Sequence, residues 1–401
     1  MRAGSGDPRP AAAPELRVLV LAPTRRATTE TFVRANLRRL PFTLTAYFGD
    51  ERPLRQPLRL AYGLAILLSK VLTRLGLLRL ATLPGSLVAW GLVRRHRPDV
   101  LMVEFGFHAV RVMEVAAWTS VPLVVHFRGS DASAKGRIGL LRQRYQRLMR
   151  LVSGVIVKSQ PMRRVLLELG APAQRLLVSP SGADAALFQG SDPATAAPLF
   201  LSVGRFVAKK GPLETIQAFA AMHQRLEEPL ASRTTLVMVG EGPLFGQARQ
   251  LIRSLALEQA VSLVGTARPA DVAAWLRQAR AFVLHSRVAP DGDSEGSPVA
   301  VMEAQLSGLP VVATRHGGIP EVVREGETGL LLEEGDTNAM AEAMALLAAD
   351  PTLAAQMGRA GRERMLAGFT VEHHVAQVAA LLRLVASSPL SQDVSPPDTA
   401  R

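Results

Sequence analysis

Short apolar runs recur along this chain, each followed by a stretch with helical spacing, and nothing else in the sequence restricts the fold as strongly. The first half carries "LRVLVLAP", "DVLMVEFG", "PLVVHFRG", "GVIVKS" and "RLLVSPSG". The second carries "LFLSVGR", "TTLVMVGEG", "VSLVG", "AFVLHS", "PVVAT" and "GLLLE". Runs this short, apolar without alternation, suit strands of a parallel sheet covered by helices on both faces. Strands alternating with helices predict doubly wound α/β units. A chain of 401 residues exceeds what one core normally holds, so two such units are expected. "QGSDPATAAP" is a linker by composition and separates them, giving units over 15–190 and 191–370. Residues 1–14 and 388–401, small, polar and Pro-rich, read as a disordered leader and tail. A last helix over 371–387 can pack on either unit, the first included.

Charge and side-chain inventory narrow the function. The chain has no cysteine, which excludes disulfides, thiolate metal sites and a cysteine nucleophile. Residues 1–190 hold 29 basic against 11 acidic residues, and residues 191–401 hold 18 against 23. The basic half is therefore expected to face something anionic. Aromatic residues are few and no nucleic-acid-binding motif is present, so nucleic acid is not the expected partner. Residues 60–93 carry only Lys70, Arg74 and Arg79 as charges, yet Lys70 and Pro84-Gly85 interrupt the apolar run. That pattern predicts an amphipathic helix on a membrane surface rather than across it. "RIGLLRQRYQRLMRL" is a second basic amphipathic helix.

Two motifs carry chemistry. In "SVGRFVAKKGP" a strand ends at Gly204, Arg205 projects from its end, Lys209 and Lys210 follow, and Gly211-Pro212 opens a helix. A guanidinium, ammonium groups and free helix N–H groups make an anion site suited to a diphosphate. In "GDSEGSPVAVMEAQLSG", Ser297 reads as an N-cap, Pro298 as the first helical residue and Gly308 as the stop. Its N-terminus attracts a second anionic group, or the other end of the first. Glu303, within that helix, suits a vicinal diol such as ribose offers, and Glu295, on the loop before it, suits a second sugar. Helix ends holding phosphates between carboxylates holding sugars describe a nucleotide sugar.

"GRFVAKKG", "VGEGP", "EGSPVAVMEAQLSGLPVVAT" and "GGIPEVV" resemble the retaining, group 1 glycosyltransferases of the GT-B fold. "DGDSEGSP" resembles the branch that builds exopolysaccharides such as colanic acid, and "TETFV" (Thr29–Val33), "VEFGFHAV", "HFRGSDAS" and "SPSGADAALF" match that branch more loosely. The resemblance implies two Rossmann-like domains facing a cleft and transfer of a sugar from a UDP- or GDP-sugar with retention. Arg205 and Lys210 would grip the diphosphate, Glu303 the ribose and Glu295 the transferred sugar. Around Gly296, Ser297, Pro298 and Val299 the backbone N–H groups, which Pro298 itself lacks, would meet hydroxyls and phosphate. Gly204 would lie at the strand end, Gly240, Glu241 and Gly242 would line the nucleotide wall, and Val264 and Gly265 would contact the base. The resemblance also implies that no metal is needed, and the sequence shows no His/Asp cluster requiring one.

The branch carries "FHGxD" where this chain has "FRGSD", which puts Arg128 at the histidine position and retains Asp131. His126, two residues earlier, shares a strand face with Arg128 and is the alternative for that role. Arg itself cannot serve as a general base. The basic half and its amphipathic stretches point to a saccharide or polyprenyl-diphosphate-linked acceptor at an anionic membrane, with the protein peripheral on the cytoplasmic face. A nucleotide-sugar epimerase of the same fold, or a non-catalytic protein binding nucleotide or nucleic acid, are the competing readings.

Overall fold

A computed structural model describes residues 15–24, 36–50 and 57–387. The expected leader, the expected tail and Thr29–Val33 lie outside these residues. Two parallel six-stranded sheets form the two lobes. The first contains β1 (Arg17–Ala22), β2 (Thr43–Phe48), β3 (Val100–Glu104), β4 (Leu123–His126), β5 (Gly154–Val157) and β6 (Leu176–Val178), in spatial order β2-β1-β3-β4-β5-β6. The second contains β7 (Leu199–Val203), β8 (Thr235–Val239), β9 (Val261–Val264), β10 (Ala281–Leu284), β11 (Val311–Thr314) and β12 (Gly329–Leu332), in order β12-β11-β10-β7-β8-β9. Strand order reverses between β7 and β10, so the loops leaving these two strands diverge and open a crevice.

The sequence reading omits β2. Its "TLTAYF" mixes Thr and Tyr with few aliphatic residues, because an edge strand needs less cover than a central one. It also omits the helix Pro351–Gly368. There Asp350 ends one helix and caps the next, its Oδ1 accepting the Leu353 N–H at 2.9 Å.

The helices used below are α1 (Pro57–Arg74), α2 (Leu83–His96), α3 (Lys135–Leu151), α4 (Pro212–His223), α5 (Val299–Ser307) and α6 (Val371–Ser387). The single amphipathic helix expected over 60–93 is instead the α1–α2 hairpin. Gly76 adopts φ 76°, and the Leu77 N–H reaches back to the Leu72 carbonyl at 3.0 Å, a helix-ending turn. Ser69 Oγ then donates to the Ala81 carbonyl, tying the two arms. The start of α5 also differs from expectation: Pro298, not Ser297, is its N-cap, and Val299 is its first residue.

Alternate residues of the first sheet face different layers, as strand geometry requires. Leu19, Leu21, Leu101 and Val103 pack with α1 and α2 residues such as Tyr62, Ile66 and Leu92. Val18, Val20, Val100, Met102, Val124 and Ile156 pack against Val375, Val378, Leu382 and Val385 of α6. The chain therefore returns from the second lobe to cover the first sheet with its final helix.

Candidate active site

The loop leaving β7 is shaped by one glycine. Gly211 holds φ 51°, and a Cβ there would sit 2.0 Å from the His285 carbonyl oxygen. Only glycine lets this loop press against the end of β10. Pro212 follows as the first residue of α4, where its missing N–H costs no helical bond. The short turn Ala208–Lys210 aims both lysines at the loop after β10. Lys210 Nζ lies 3.1 Å from Glu295 Oε2, and Lys209 Nζ lies 3.0 Å from Asp293 Oδ2 and 3.8 Å from Glu295 Oε1.

Glu295 is 7% exposed. Burial pushes its carboxyl up, but Lys210 and Lys209 together outweigh burial and hold it below the usual range. Its backbone N–H donates to His316 Nε2 at 3.0 Å. That assigns the proton of His316 to Nδ1, which faces Glu334 Oε1. Gly317, at φ 56°, passes under the Glu295 carbonyl, where a Cβ would stand 2.2 Å from the oxygen. The carboxylate is thus set by backbone on one side and by two ammonium groups on the other.

Glu303 lies in α5, beyond its first turn, and is half-buried. Burial pushes its carboxyl up to about 7, against an opposing pull from Lys210. Lys210 therefore acts on both glutamates of the motif. Its stem also lines Gly204, and a shallow depression beside it is bordered by Gly204, the exposed Arg205, Phe206 and Met238. Loops after β8 and β9 complete this wall. The Gly240 N–H donates to the Val264 and Gly265 carbonyls at 3.0 Å each, and the Phe206 N–H donates to the Glu241 carbonyl at 2.9 Å. Gly242 stands against the Phe206 backbone. The expected donor-side residues, scattered over the second half of the sequence, line one end of one sheet.

His126, Arg128 and Asp131 form a separate group at the end of β4. The Arg128 fork binds Glu104 of β3, Nε to Oε2 at 2.7 Å and Nη2 to Oε1 at 2.8 Å, with both side chains nearly wholly buried. Asp131 is fully buried and accepts the backbone N–H groups of Gly106 (2.9 Å), Arg128 (3.0 Å) and Gly129 (2.8 Å). Burial raises its pKa even so. His126 is buried with Nδ1 3.7 Å from Glu104 Oε1. Burial, assisted by repulsion from Arg128 and Lys158, holds it neutral, well below its usual range. Asp131 and the Arg128–Glu104 pair thus brace the first lobe's loop, with His126 packed beside them at the end of β4.

The two lobes meet across that loop and the segment 291–297. Ser133 Oγ donates to Asp293 Oδ1 at 2.9 Å, and the Gln160 N–H donates to Glu321 Oε1 at 2.7 Å. Gly296 is packed so closely that a Cβ would sit 3.0 Å from Met162 Sδ and 3.3 Å from Lys158 Cβ. Glu104, Asp293 and Glu334 carry no assigned role in the sequence reading. Glu104 alone had a signal: a carboxylate closing an otherwise apolar strand.

Residues 185–364 match the family model "Glycosyl transferases group 1", and residues 15–187 match "Glycosyltransferase Family 4". The chain is 32% identical over 292 residues to the Escherichia coli K12 protein assigned to colanic acid biosynthesis as glycosyltransferase WcaL, covering 72% of this chain and 71% of the relative. It is 30% identical over 295 residues to the Erwinia amylovora amylovoran biosynthesis glycosyltransferase AmsK, covering 72% and 70%. Among solved structures, sucrose-phosphate synthase from Thermosynechococcus elongatus superposes with a TM-score of 0.70 at 19% identity, covering 93% of this chain and 99% of that one. Anabaena HepE in complex with UDP-glucose superposes with a TM-score of 0.68 at 20% identity, covering 92% and 100%. At such identities the structural likeness speaks for the fold alone.

Proposed function

The chain belongs to the group 1 glycosyltransferases and has their GT-B fold, and from that premise we propose that it moves a sugar from a nucleotide-diphosphate sugar to an acceptor hydroxyl, with retention, in exopolysaccharide synthesis. One observation carries the reading: the Lys210 ammonium, 3.1 Å from Glu295 and acting on Glu303, stands where the β7 and β10 loops diverge. Arg205 and Lys210 neutralise the diphosphate, aided by N–H groups at the start of α5 around Gly296–Val299. Glu303 accepts from the ribose and Glu295 from the transferred sugar. Gly240, Glu241 and Gly242 border the nucleotide, and Val264 and Gly265 meet the base. The departing phosphate takes the acceptor proton, so no protein nucleophile is needed. The donor set of ammonium, guanidinium and N–H groups suits a phosphate directly.

A panel of UDP, GDP and their sugars, with calorimetry and product analysis, tests this. One nucleotide series should bind selectively, its sugar should appear on a saccharide acceptor, and a chelator should leave the rate unchanged. Equally weak binding of every nucleotide to the wild type and to Glu303→Ala would remove the site assignment. Release of free sugar without acceptor would favour the epimerase.

The titration of Glu303 gives a second test. Its folded value of about 7 lies above the ordinary 4.5, so its contribution to stability is complete below the ordinary value and is lost as pH rises through 7. The ionised form is the one that accepts two ribose hydroxyls. Nucleotide affinity should therefore rise between about pH 6 and about pH 8, and Glu303→Gln should flatten that rise. An unchanged rise in the variant would place the titrating group elsewhere.

The acceptor is a saccharide, and the strongly basic first half favours one held on polyprenyl diphosphate at an anionic membrane, with the protein peripheral on the cytoplasmic face. Among the described residues no helix is long and apolar enough to cross a membrane.

A further inference from the structure

The α1–α2 hairpin has an unusual surface. Residues 57–96 contain six Lys or Arg residues and no Asp or Glu. Ten of the seventeen large hydrophobic residues that stand exposed among the described residues lie here. On α1, Leu64, Leu68 and Val71 follow one another at helical spacing, leading to Leu75, which is 67% exposed. On α2, Leu83, Leu87 and Trp90 make a second stripe, and Arg94 stacks over the Trp90 ring at 4.8 Å. Apolar side chains exposed at this density mark an interaction site.

The hairpin's position gives that surface a purpose. Tyr62 Oη meets His108 Nε2 at 2.7 Å, and a Cβ at Gly85 would stand 2.5 Å from the Arg111 carbonyl oxygen. His108 and Arg111 follow the carboxyl end of β3. The turn between the two helices, Leu75–Thr82, therefore projects at the end of the first sheet where the interlobe cleft opens. The exposed Leu75, Leu77, Leu80 and Leu83 crowd that tip, with Arg74 and Arg79 beside them.

We infer that this hairpin is the surface by which the protein lies on an anionic bilayer, its leucine tip at the acyl–headgroup boundary and its basic residues on lipid phosphates. The reason is chemical complementarity. A bilayer supplies apolar depth and negative charge together. A second copy of the same face would set Arg74, Arg79, Arg94 and Arg95 against the same four, and the hairpin has no acid of its own to place between them. Docking this way brings the rim of the first lobe to the membrane, where a lipid-held diphosphate can enter the cleft. The inference deepens the reading of a membrane-held acceptor and rests on it.

Sedimentation of the full chain with phosphatidylglycerol/phosphatidylcholine vesicles and with phosphatidylcholine vesicles tests it, using Leu75→Glu/Leu80→Glu as the variant. Both positions are exposed, and calorimetric nucleotide binding checks that the variant is folded. Wild type should bind the anionic vesicles, more weakly in high salt, and the double variant should bind at least tenfold more weakly with nucleotide affinity unchanged. Equal binding by variant and wild type overturns the hairpin as the docking surface and leaves the membrane-held acceptor standing. Wild type that ignores anionic vesicles while glycosylating a soluble saccharide overturns both. A dimer that the variant dissolves, without vesicle binding, replaces docking with self-association.

Discussion

Lys210→Ala is expected to slow sugar transfer by about 10²–10³-fold, equivalent to ~3–4 kcal/mol of transition-state stabilisation, with the fold retained. The charge that develops as the donor breaks is the leaving diphosphate's, and Lys210 is the ammonium that pairs with Glu295 and pulls on the Glu303 carboxyl. Removing it acts twice. The phosphate loses a preorganised cation, and the buried Glu295 loses the first of the partners that hold its carboxyl low. Glu295 should then titrate higher, so the variant should also lose activity at mildly acid pH where the wild type does not. Lys209→Ala should cost less, because that lysine is shared with Asp293, which Ser133 of the first lobe also holds. Steady-state rates at saturating donor across pH measure both effects. Loss confined to KM, with kcat intact, would mean that Lys210 only binds the ground state.

Breaking the Arg128–Glu104 pair should have the largest effect on stability. A buried ion pair that loses one member leaves the other charge uncompensated, at a cost of about 3–5 kcal/mol. Burial raises the Glu104 carboxyl, but Arg128, with His126 beside it, outweighs burial and holds it far below the usual range. The pair therefore stays ionised through mild acid, and its contribution is lost only as pH falls below the ordinary carboxylate range. Arg128→Leu and Glu104→Leu should each lower the first lobe's denaturation midpoint, and the double variant should recover most of the loss, since an apolar pair of similar volume replaces a buried ion pair at little cost. Denaturant unfolding followed with nucleotide-binding calorimetry measures this. An Arg128→Leu protein of unchanged stability and no turnover would show that the guanidinium works on substrate instead. The expected outcome makes Arg128 a positioning residue: it and Asp131 fasten the loop that carries Ser133 toward Asp293.

The alternation of apolar runs and helices determined the fold class, because a strand buried on both faces leaves a local trace that needs no partner to be read. The motif around Glu295 and Glu303 determined the family, because glycine, proline and carboxylate at fixed spacing answer to local backbone demands. Edge strand β2 escaped, since an edge is defined by its neighbour and not by its own residues. The division of residues 60–93 into a hairpin, with a leucine tip at the cleft rim, was set by how α1 and α2 pack on the first sheet. The pairing of Arg128 with Glu104 had no sequence signal, because Glu104 ends β3 and Arg128 follows β4, adjacent strands that only the sheet brings into register. Local geometry is written along the chain, while contacts between charges distant in sequence exist only once parallel strands deliver their ends to one edge.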